Sequence, residues 1–380
     1  MKNFLQFLRR GWRLFLGSKL VWRRPPKSDL LIIDRGTASP LDKMFAHHYP
    51  HIMDIRGESI NMPVLLRALP KVRLGAGAYL EAYIDFVKPK LVLSRTDNNH
   101  TLWQLKRRPD VTYQVALVQN GWRLDLESEI PTLLRPAPTG KRWHVDRVFS
   151  FGPTWLSQIA RTTEVQGIAV GSLLLNNYEV SKTGESKNRI GIVSNYRSEF
   201  VKRGLDFGEI LYRSLNQLLK KSGLPLTVVG YSGIDNRQDE YDFLASLLTE
   251  IDWKLASREF LMSSYETLRN LEIVIADVSS LGYEMLALGK RVGFIAAMQW
   301  SRQTHRFGKP LEFGEKGPFW TNDPSEAEID RILNYLISVS DEQWERDSGW
   351  LRDQLMVHDY GNSKIRAYVE GVLADGLNLR

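Results

Sequence analysis

Short apolar runs that end in polar loops recur along this chain, and stretches with helical periodicity lie between them. In the first half the runs cover residues 30–34, 51–56, 90–96, 112–119 and 147–152, and the helical stretches cover 62–69, 78–87 and 154–159. A strand that is buried on both faces has a nearly continuous apolar sequence, and such strands alternate with helices in α/β proteins. The pattern therefore predicts an α/β fold in which helices cover both faces of a parallel sheet.

The same alternation restarts after a polar segment over residues 176–188, which we interpret as a linker. Strands are predicted at 189–194, 226–230, 273–277 and 291–296, and helices at 206–219, 241–250, 281–288 and 325–338. The 380 residues suffice for two domains. We therefore predict two Rossmann-like domains, 28–175 and 188–340, that face each other across a cleft, with a helical tail over 341–380. Ligands of open α/β sheets bind at the carboxyl ends of the strands, so the cleft is the expected site.

The net charge of +7 is concentrated at the N-terminus. Residues 1–27 contain no acidic residue but carry Lys2, Arg9, Arg10, Arg13, Lys19, Arg23, Arg24 and Lys27. Apolar side chains, including Trp12, are interleaved with these charges. The pattern predicts an amphipathic helix within a membrane-associating segment, 1–27, that is attracted to anionic lipid. The alternative is an ordinary helix packed on the body.

The other bulk properties exclude several classes of function. The rest of the chain is nearly neutral, so binding to nucleic acid is not expected. The sequence has no stretch apolar enough to span a membrane. It also has no cysteine, which excludes disulfides and thiolate metal sites.

The most distinctive segment runs from Ile275 to Phe294. A predicted strand ends at Asp277, Ser279 and Ser280 open a helix, and Glu284 lies one turn further on. Free N–H groups and hydroxyls at the start of a helix form a site for a diphosphate or phosphodiester. Glu284 shares the face of Ser280 and has the chemistry to accept hydrogen bonds from ribose or sugar hydroxyls. The alternative is that Ser279 only caps the helix and Glu284 is a solvated carboxylate.

This segment resembles the donor-binding element of GT-B glycosyltransferases, in particular that of bacterial surface carbohydrate biosynthesis proteins. Further segments match in the same order: Thr96–Asn99, Gln119–Arg123, Gly171–Ser172 with Asn176–Asn177, and Gly317–Asn322. The group is distantly similar to transferases that use CMP-activated keto-sugars such as Kdo, and to CDP-glycerol polymerising transferases. The resemblance covers residues 28–345 and implies a donor-binding second domain and an acceptor-binding first domain. It departs from the CDP-glycerol transferases at their His-Gly pair, where this chain has Asn120-Gly121.

An inverting transferase needs a base that takes the proton of the acceptor hydroxyl. Asp97 follows a predicted strand at the cleft end of the first sheet and is the first candidate, with Asp34 second. The alternative is that Asp97 forms an Asx turn in the Asp-Asn-Asn loop.

Other polar residues at strand ends are candidates for contacts with the donor or the acceptor. Asn98, Gln119, Asn120 and Arg123 belong to the first domain, although Gln119–Gly121 also fits a simple turn. Ser194, Asn195 and Arg197 end the first strand of the second domain. Arg197 there is a candidate phosphate clamp, and the alternative is a solvated charge. Further candidates, for the border of the pocket that holds the nucleotide base, are Arg258 and the run Ser264-Tyr265-Glu266.

We predict no metal and no cofactor. The Asp-x-Asp metal motif of GT-A enzymes is absent from the sequence, and His47, His48 and His51 share one short segment. One segment rarely provides a metal site by itself.

These features together predict an inverting, metal-independent glycosyltransferase. Its expected donor is a nucleotide sugar, CMP-linked as in CMP-Kdo, and its expected acceptor is a lipid-linked glycan of lipopolysaccharide or capsule. The predicted location is the cytoplasmic face of the inner membrane, with peripheral attachment. The alternatives are a polyol-phosphate transferase with a CDP-linked donor and a non-enzymatic glycan- or nucleotide-binding protein.

Overall fold

The computed structural model describes residues 17–70, 76–106, 111–137, 142–180, 189–205, 208–231, 237–256, 262–277, 279–304, 306–309, 311 and 313–374. Residues 1–16, which hold most of the predicted amphipathic helix, lie outside this range, as do residues 181–188 of the predicted linker and the candidate Arg258.

The first half of the chain alternates strands with short helices. The strands are β1 (Lys19–Val21), β2 (Leu30–Ile33), β3 (His51–Met53), β4 (Ser59–Asn61), β5 (Leu91–Ser94), β6 (Gln114–Val118), β7 (Trp143–Ser150) and β8 (Thr163–Ala169). The helices are α1 (Leu41–Met44), α2 (Met62–Ala68), α3 (Ala76–Val87), α4 (Leu126–Glu129) and α5 (Pro153–Ala160).

The second half repeats the alternation. The strands are β9 (Ile190–Val193), β10 (Leu226–Val229), β11 (Trp253–Leu255), β12 (Ile273–Ala276), β13 (Arg291–Ile295), β14 (Lys316–Gly317) and β15 (Trp320–Thr321). The helices are α6 (Ser198–Val201), α7 (Glu209–Ser222), α8 (Arg237–Leu247), α9 (Ser263–Arg269), α10 (Ser280–Ala287), α11 (Gln299–Thr304), α12 (Glu326–Ser338), α13 (Asp341–Leu355) and α14 (Ser363–Ala374). None of the described helices is long and apolar enough to cross a membrane.

Two separate parallel sheets organise the molecule. The first has the order β3-β2-β5-β6-β7-β8, and the second has the order β11-β10-β9-β12-β13-β15-β14. All pairs are parallel except β14 with β15. The strand order therefore reverses between β2 and β5 in the first sheet and between β9 and β12 in the second. Such a reversal opens a crevice at the carboxyl ends of the strands, which is where ligands bind in this class of sheet.

The central strands are apolar because both of their faces are covered. Every residue of β2, β5, β9, β10, β12 and β13 is buried. Separate cores lie on the two faces of the first sheet, and a third core surrounds the second sheet. The predicted α/β fold with two parallel sheets is confirmed.

The last helix returns to the first sheet. The predicted tail contains α13 and α14, and the buried side chains of α14 pack in the core that contains Leu30 and Ile32 of β2. These side chains are Ile365, Val369, Val372 and Leu373. The chain thus crosses from the second sheet back to the first, and α14 ties the two halves together.

Several elements differ from the sequence prediction. Strand β8 was not predicted, because as an edge strand it contains exposed and half-buried residues instead of a continuous apolar run. Helix α7 ends at Ser222, three residues later than predicted, where Gly223 adopts a left-handed conformation with φ 68° that favours glycine. Lys19–Val21, inside the predicted membrane segment, pairs in parallel with Ser59–Asn61.

Candidate functional site

Asp34, the second candidate for the base, lies at the end of β2 and is fully buried. Arg56 donates to both of its carboxylate oxygens, from Nε at 2.9 Å and from Nη2 at 2.6 Å. The Thr96 hydroxyl donates to the same carboxylate at 2.7 Å. Burial raises the pKa of Asp34, but the hydrogen bonds from Arg56 and Thr96 outweigh it and leave the pKa below its ordinary value. Asp34 also has a positive φ of 78°, an uncommon conformation for a residue other than glycine.

Asp97 follows β5, which is the neighbour of β2 across the point where the strand order reverses. Its side chain is buried, with 1% exposed. Arg123 approaches both of its carboxylate oxygens, with Nη2 at 2.5 Å from Oδ1 and Nε at 3.1 Å from Oδ2. Arg123 also donates to Asn120 Oδ1 at 2.5 Å and to Glu129 at 3.3 Å. Asp97, Asn120 and Arg123 therefore form one connected cluster, and both oxygens of the Asp97 carboxylate are engaged within it.

The remaining candidates of the first sheet have different surroundings. Gln119 is buried, and its side chain accepts from Phe151 N at 2.8 Å and donates to Gly121 O at 2.9 Å. It thus connects the loops that follow β6 and β7. Asn98 is exposed to solvent beside Asp97.

The end of β12 carries a buried carboxylate. Asp277 Oδ2 accepts hydrogen bonds at 3.1 Å from Ala297 N, Met298 N and the Ser301 hydroxyl. Its other oxygen, Oδ1, is buried and has no hydrogen-bond partner within the described residues. Burial raises the pKa of Asp277 to about 7.

Helix α10 begins directly after this carboxylate. Ser279 caps the helix, because its hydroxyl accepts from Leu281 N at 3.3 Å. Both Ser279 and Ser280 are half-buried. Ser279 therefore does cap the helix, as the alternative interpretation required. The start of the helix nevertheless still offers N–H groups and hydroxyls at the carboxyl end of β12.

Glu284, on the same helix, lies where the two halves of the molecule meet. The Tyr265 hydroxyl contacts its carboxylate oxygens at 2.9 and 3.0 Å, and the Ser172 hydroxyl also hydrogen-bonds to it. Burial raises the pKa of Glu284 to about 7, while Ser172, Tyr265 and the nearby charge of Arg95 act in the opposite direction. Ser172 follows β8 and Arg95 follows β5, so this cluster joins the carboxyl edges of both sheets.

Arg95 is a residue of this cluster that the sequence interpretation missed. Its Nη1 donates to Ser39 O, and its buried Nε has no hydrogen-bond partner within the described residues. Burial lowers its pKa, against the opposing influence of Tyr265, Glu284 and Asp97. Its place in the polar run directly after a buried strand was the signal that would have identified it.

An aromatic contact also crosses the cleft. The Trp122 ring follows β6 and stacks on Tyr283 of α10, with the centroids 3.6 Å apart and the planes inclined by 5°. Phe307 is stacked further along, 6.0 Å from Tyr283. This contact places the start of α10 against the loop that carries Asn120 and Arg123.

The predicted phosphate clamp lies at the end of β9. Ser194 is buried, and its hydroxyl accepts from Tyr196 N at 3.2 Å, while Asn195 is half-buried beside it. The Arg197 guanidinium carbon lies 3.3 Å from the centroid of the Tyr231 ring, which follows β10. Arg197 therefore stacks on an aromatic ring at the carboxyl edge of the second sheet.

The structure thus brings most of the predicted residues to the two facing edges, in distinct clusters. Asp97, Asn120 and Arg123 form one, and Glu284 with Ser172, Tyr265 and Arg95 forms a second that reaches the first through Arg95. Asp34 with Arg56 and Arg197 with Tyr231 are separate pairs.

This arrangement of two sheets and a cleft is the GT-B fold, and solved structures share it. The S. aureus MnaA–UDP structure matches with a TM-score of 0.52 and 13% identity over 94% of this chain and 97% of that one. The wall teichoic acid polymerase TagF matches with a TM-score of 0.52 and 10% identity over 93% and 91%. The UDP-GlcNAc 2-epimerase of Methanocaldococcus jannaschii matches with a TM-score of 0.51 and 12% identity over 93% and 100%.

Residues 116–372 match the sequence family described as "putative O-antigen biosynthesis protein". This match covers more than half of the chain, so the chain belongs to that family. The predicted GT-B fold and the predicted membership in a surface carbohydrate biosynthesis family are both confirmed. No curated protein sequence matches the chain significantly.

Proposed function

We propose that this protein is an inverting, metal-independent glycosyltransferase that moves a sugar from a CMP-activated donor, such as CMP-Kdo, to a surface polysaccharide or glycolipid. The observation that carries the proposal is the buried cluster in which Arg95 of the first sheet approaches Glu284 and Tyr265 of the second. A transferase that positions donor and acceptor between two domains needs groups from both sheets at one point. The division of the chain into a membrane-associating segment (1–27), two domains (28–175 and 188–340) and a tail (341–380) is part of this proposal.

In this proposal the second domain binds the donor nucleotide. Ser279, Ser280 and the start of α10 bind the phosphate, and Glu284 accepts hydrogen bonds from hydroxyls of the donor. Arg197 supplies a second positive charge for phosphate from the end of β9. The Nε of Arg95, which has no hydrogen-bond partner among the residues that the structure describes, is a donor that can stabilise negative charge on the leaving phosphate.

The first domain presents the acceptor and the base. Asp97 remains the first candidate for the base and Asp34 the second, and each is held by an arginine in the structure. A base in either place therefore has to be released from its guanidinium when the acceptor binds. The acceptor, or the carboxylate of a keto-sugar donor, is proposed to contact Asn98, Gln119, Asn120 and Arg123.

The membrane proposal gains support from the surface next to β1. Trp22 is 70% exposed, and Leu66 and Leu69, at the end of the helix that follows β4, are 60% and 51% exposed. The guanidinium groups of Arg24 and Arg67 lie 5.8 and 5.3 Å from the centroid of the same Phe86 ring, so the two elements adjoin. Exposed apolar side chains among basic residues suit an anionic membrane surface. The proposed location is the cytoplasmic face of the inner membrane.

Nucleotide binding followed by turnover tests the proposal. CMP, CDP, UDP and GDP are compared by thermal shift, and a nucleotide at about 100 times its Kd should add about 2.7 kcal/mol of stability. We expect cytidine nucleotides to stabilise most and CMP-Kdo to be turned over. Preference for UDP, which is bound in the MnaA structure, would contradict the CMP donor and leave the fold unaffected.

The same experiment separates the alternatives. Turnover of a CDP-linked polyol donor, and none of a nucleotide sugar, would identify a polyol-phosphate transferase. Binding of nucleotides without turnover of any donor would favour a non-enzymatic binding protein.

A further inference from the structure

Two histidines and a glutamate meet at the edge of the first sheet opposite the cleft. His47 and His48 lie shortly before β3, so they adjoin the amino ends of the strands, whereas the cleft lies at the carboxyl ends. Glu370 comes from α14, more than 300 residues later in the chain. His47 Nε2 lies 2.9 Å from Glu370 Oε1, and His48 Nε2 lies 2.8 Å from Oε2.

The third ligand is what the sequence alone did not provide. Adjacent histidines in one segment rarely bind a metal by themselves, but α14 brings a carboxylate to both imidazoles. The three ligand atoms lie within 4.8 Å of one another. The neighbouring His51 does not join them, because its Nε2 is hydrogen-bonded to the Tyr83 hydroxyl at 2.8 Å.

We infer that His47, His48 and Glu370 form a binding site for a divalent transition metal, with zinc as the ion that fits best. Two imidazole nitrogens and one carboxylate oxygen are ligands that Zn²⁺ prefers, at about 2.0–2.2 Å each. The side chains of His47, His48 and Glu370 are 58%, 24% and 46% exposed, so they are free to adjust. A cavity of about 330 Å³ adjoins His48 and Glu370 and leaves room for water as a fourth ligand.

Such an ion would fasten α14 to the first sheet. The helix is the chain's return from the second sheet, and its buried face packs against β2 and β5. A bond between Glu370 and two histidines beside β3 would add a constraint at the solvent-facing side of this contact. The inferred role is therefore structural, and it is separate from the transfer reaction proposed for the cleft.

Zinc binding to the full-length, untagged protein tests the inference. After removal of metal with EDTA, calorimetric titration should show one equivalent of bound Zn²⁺, and Tm should rise with the ion present. Mg²⁺ should produce neither effect, because it prefers oxygen ligands in octahedral geometry. Amide hydrogen exchange across residues 363–374 should slow when Zn²⁺ is bound.

Variants locate the site. Loss of an outer-shell partner already weakens metal binding about 10–100-fold, so His47→Ala, His48→Ala and Glu370→Gln should each weaken it at least about tenfold. His144→Ala is the matched control, since the half-buried His144 also lies near a carboxylate, 3.8 Å from Asp146. This variant should bind Zn²⁺ as the wild type does. Glu370→Gln retains the shape of the side chain and serves if a histidine variant does not fold.

Two results would overturn the inference. One is the absence of stoichiometric Zn²⁺ binding by the wild-type protein. The other is unchanged affinity in the folded Glu370→Gln variant.

Discussion

The carboxylate of Asp97 and the guanidinium of Arg123 form a buried ion pair that joins two oxygens to two nitrogens, at 2.5 and 3.1 Å. The two residues are 26 positions apart and follow neighbouring strands, β5 and β6. The pair determines how the proposed base has to be tested, because replacing Asp97 also removes the closer of the two carboxylates that buried Arg123 contacts and leaves Glu129 at 3.3 Å.

We expect Asp97→Asn to abolish transfer and to leave donor affinity nearly unchanged, because an amide cannot take the acceptor proton. The same change breaks the buried pair, which costs at most about 3–5 kcal/mol of stability because Arg123 keeps Glu129 as a second ionic partner. Arg123→Gln separates the two effects, since it breaks the pair and keeps the carboxylate. Single-turnover assays below the Tm of each variant should find Asp97→Asn inactive and Arg123→Gln partly active. Turnover by Asp97→Asn together with an inactive Asp34→Asn would move the base to Asp34.

The Ser279→Ala, Ser280→Ala double variant should weaken nucleotide binding without unfolding the chain. Each lost hydrogen bond to a charged phosphate should cost about 1.5–3 kcal/mol of binding free energy. Ser340→Ala is the control, because the Ser340 hydroxyl caps α13 by accepting from Gln343 N at 3.2 Å. Both variants lose a cap, worth about 1 kcal/mol of stability, but only the first should lose affinity in calorimetry. Equal affinities would leave Ser279 as a cap alone.

Stability should fall as the pH rises through neutrality, partly because of Glu284. Its pKa in the folded protein, about 7, is above the ordinary value of 4.5, so the folded state holds the proton more tightly than the unfolded state. This contribution is complete below about pH 4.5 and is lost as the pH rises through about 7. At about 1.4 kcal/mol per pKa unit it amounts to about 3 kcal/mol, and buried Asp277 acts in the same direction.

Denaturant unfolding at several pH values checks the role of Glu284. The Glu284→Gln variant cannot titrate, so its free energy of unfolding should change less between about pH 5 and pH 8 than that of the wild type. Glu164→Gln, at an exposed glutamate of β8, should retain the wild-type dependence. An unchanged pH dependence in Glu284→Gln would contradict the assignment of the titration to this residue.

Deletion of residues 1–16 should release the protein from anionic vesicles while donor binding persists. The deletion stops before β1, because Lys19–Val21 pairs with β4 and Asn61 donates to Arg23 O at 2.8 Å. Co-sedimentation should weaken with salt, since the Debye length falls from about 10 Å at 0.1 M to about 3 Å at 1 M. Trp22→Ser in the full chain should also lower binding to anionic vesicles. If the full and shortened proteins sediment equally, the N-terminal segment does not contribute to binding.

The sequence by itself determined the two parallel sheets and the edge at which the candidate site lies. Buried runs such as Leu30–Ile33 and Ile273–Ala276 are apolar because both faces are covered, and this property can be seen locally. The polar residues that follow these runs, Asp34 and Asp277, therefore lie at the carboxyl edges as expected. Strand β8 was missed because most of its residues are exposed or half-buried, so it lacks a continuous apolar run.

Tertiary structure alone decided the partner of each polar side chain. Asp97 is paired with Arg123, Glu284 meets Ser172 and Arg95 from the other half, and Glu370 meets His47 and His48 from the opposite end of the chain. Strand and helix periodicity depends on residues a few positions apart, whereas these contacts depend on how distant segments pack. The sequence therefore located Asp97 and Glu284, but not Glu370. The packing of the two sheets and the return of α14 determined which cation, hydroxyl or imidazole each of these carboxylates faces.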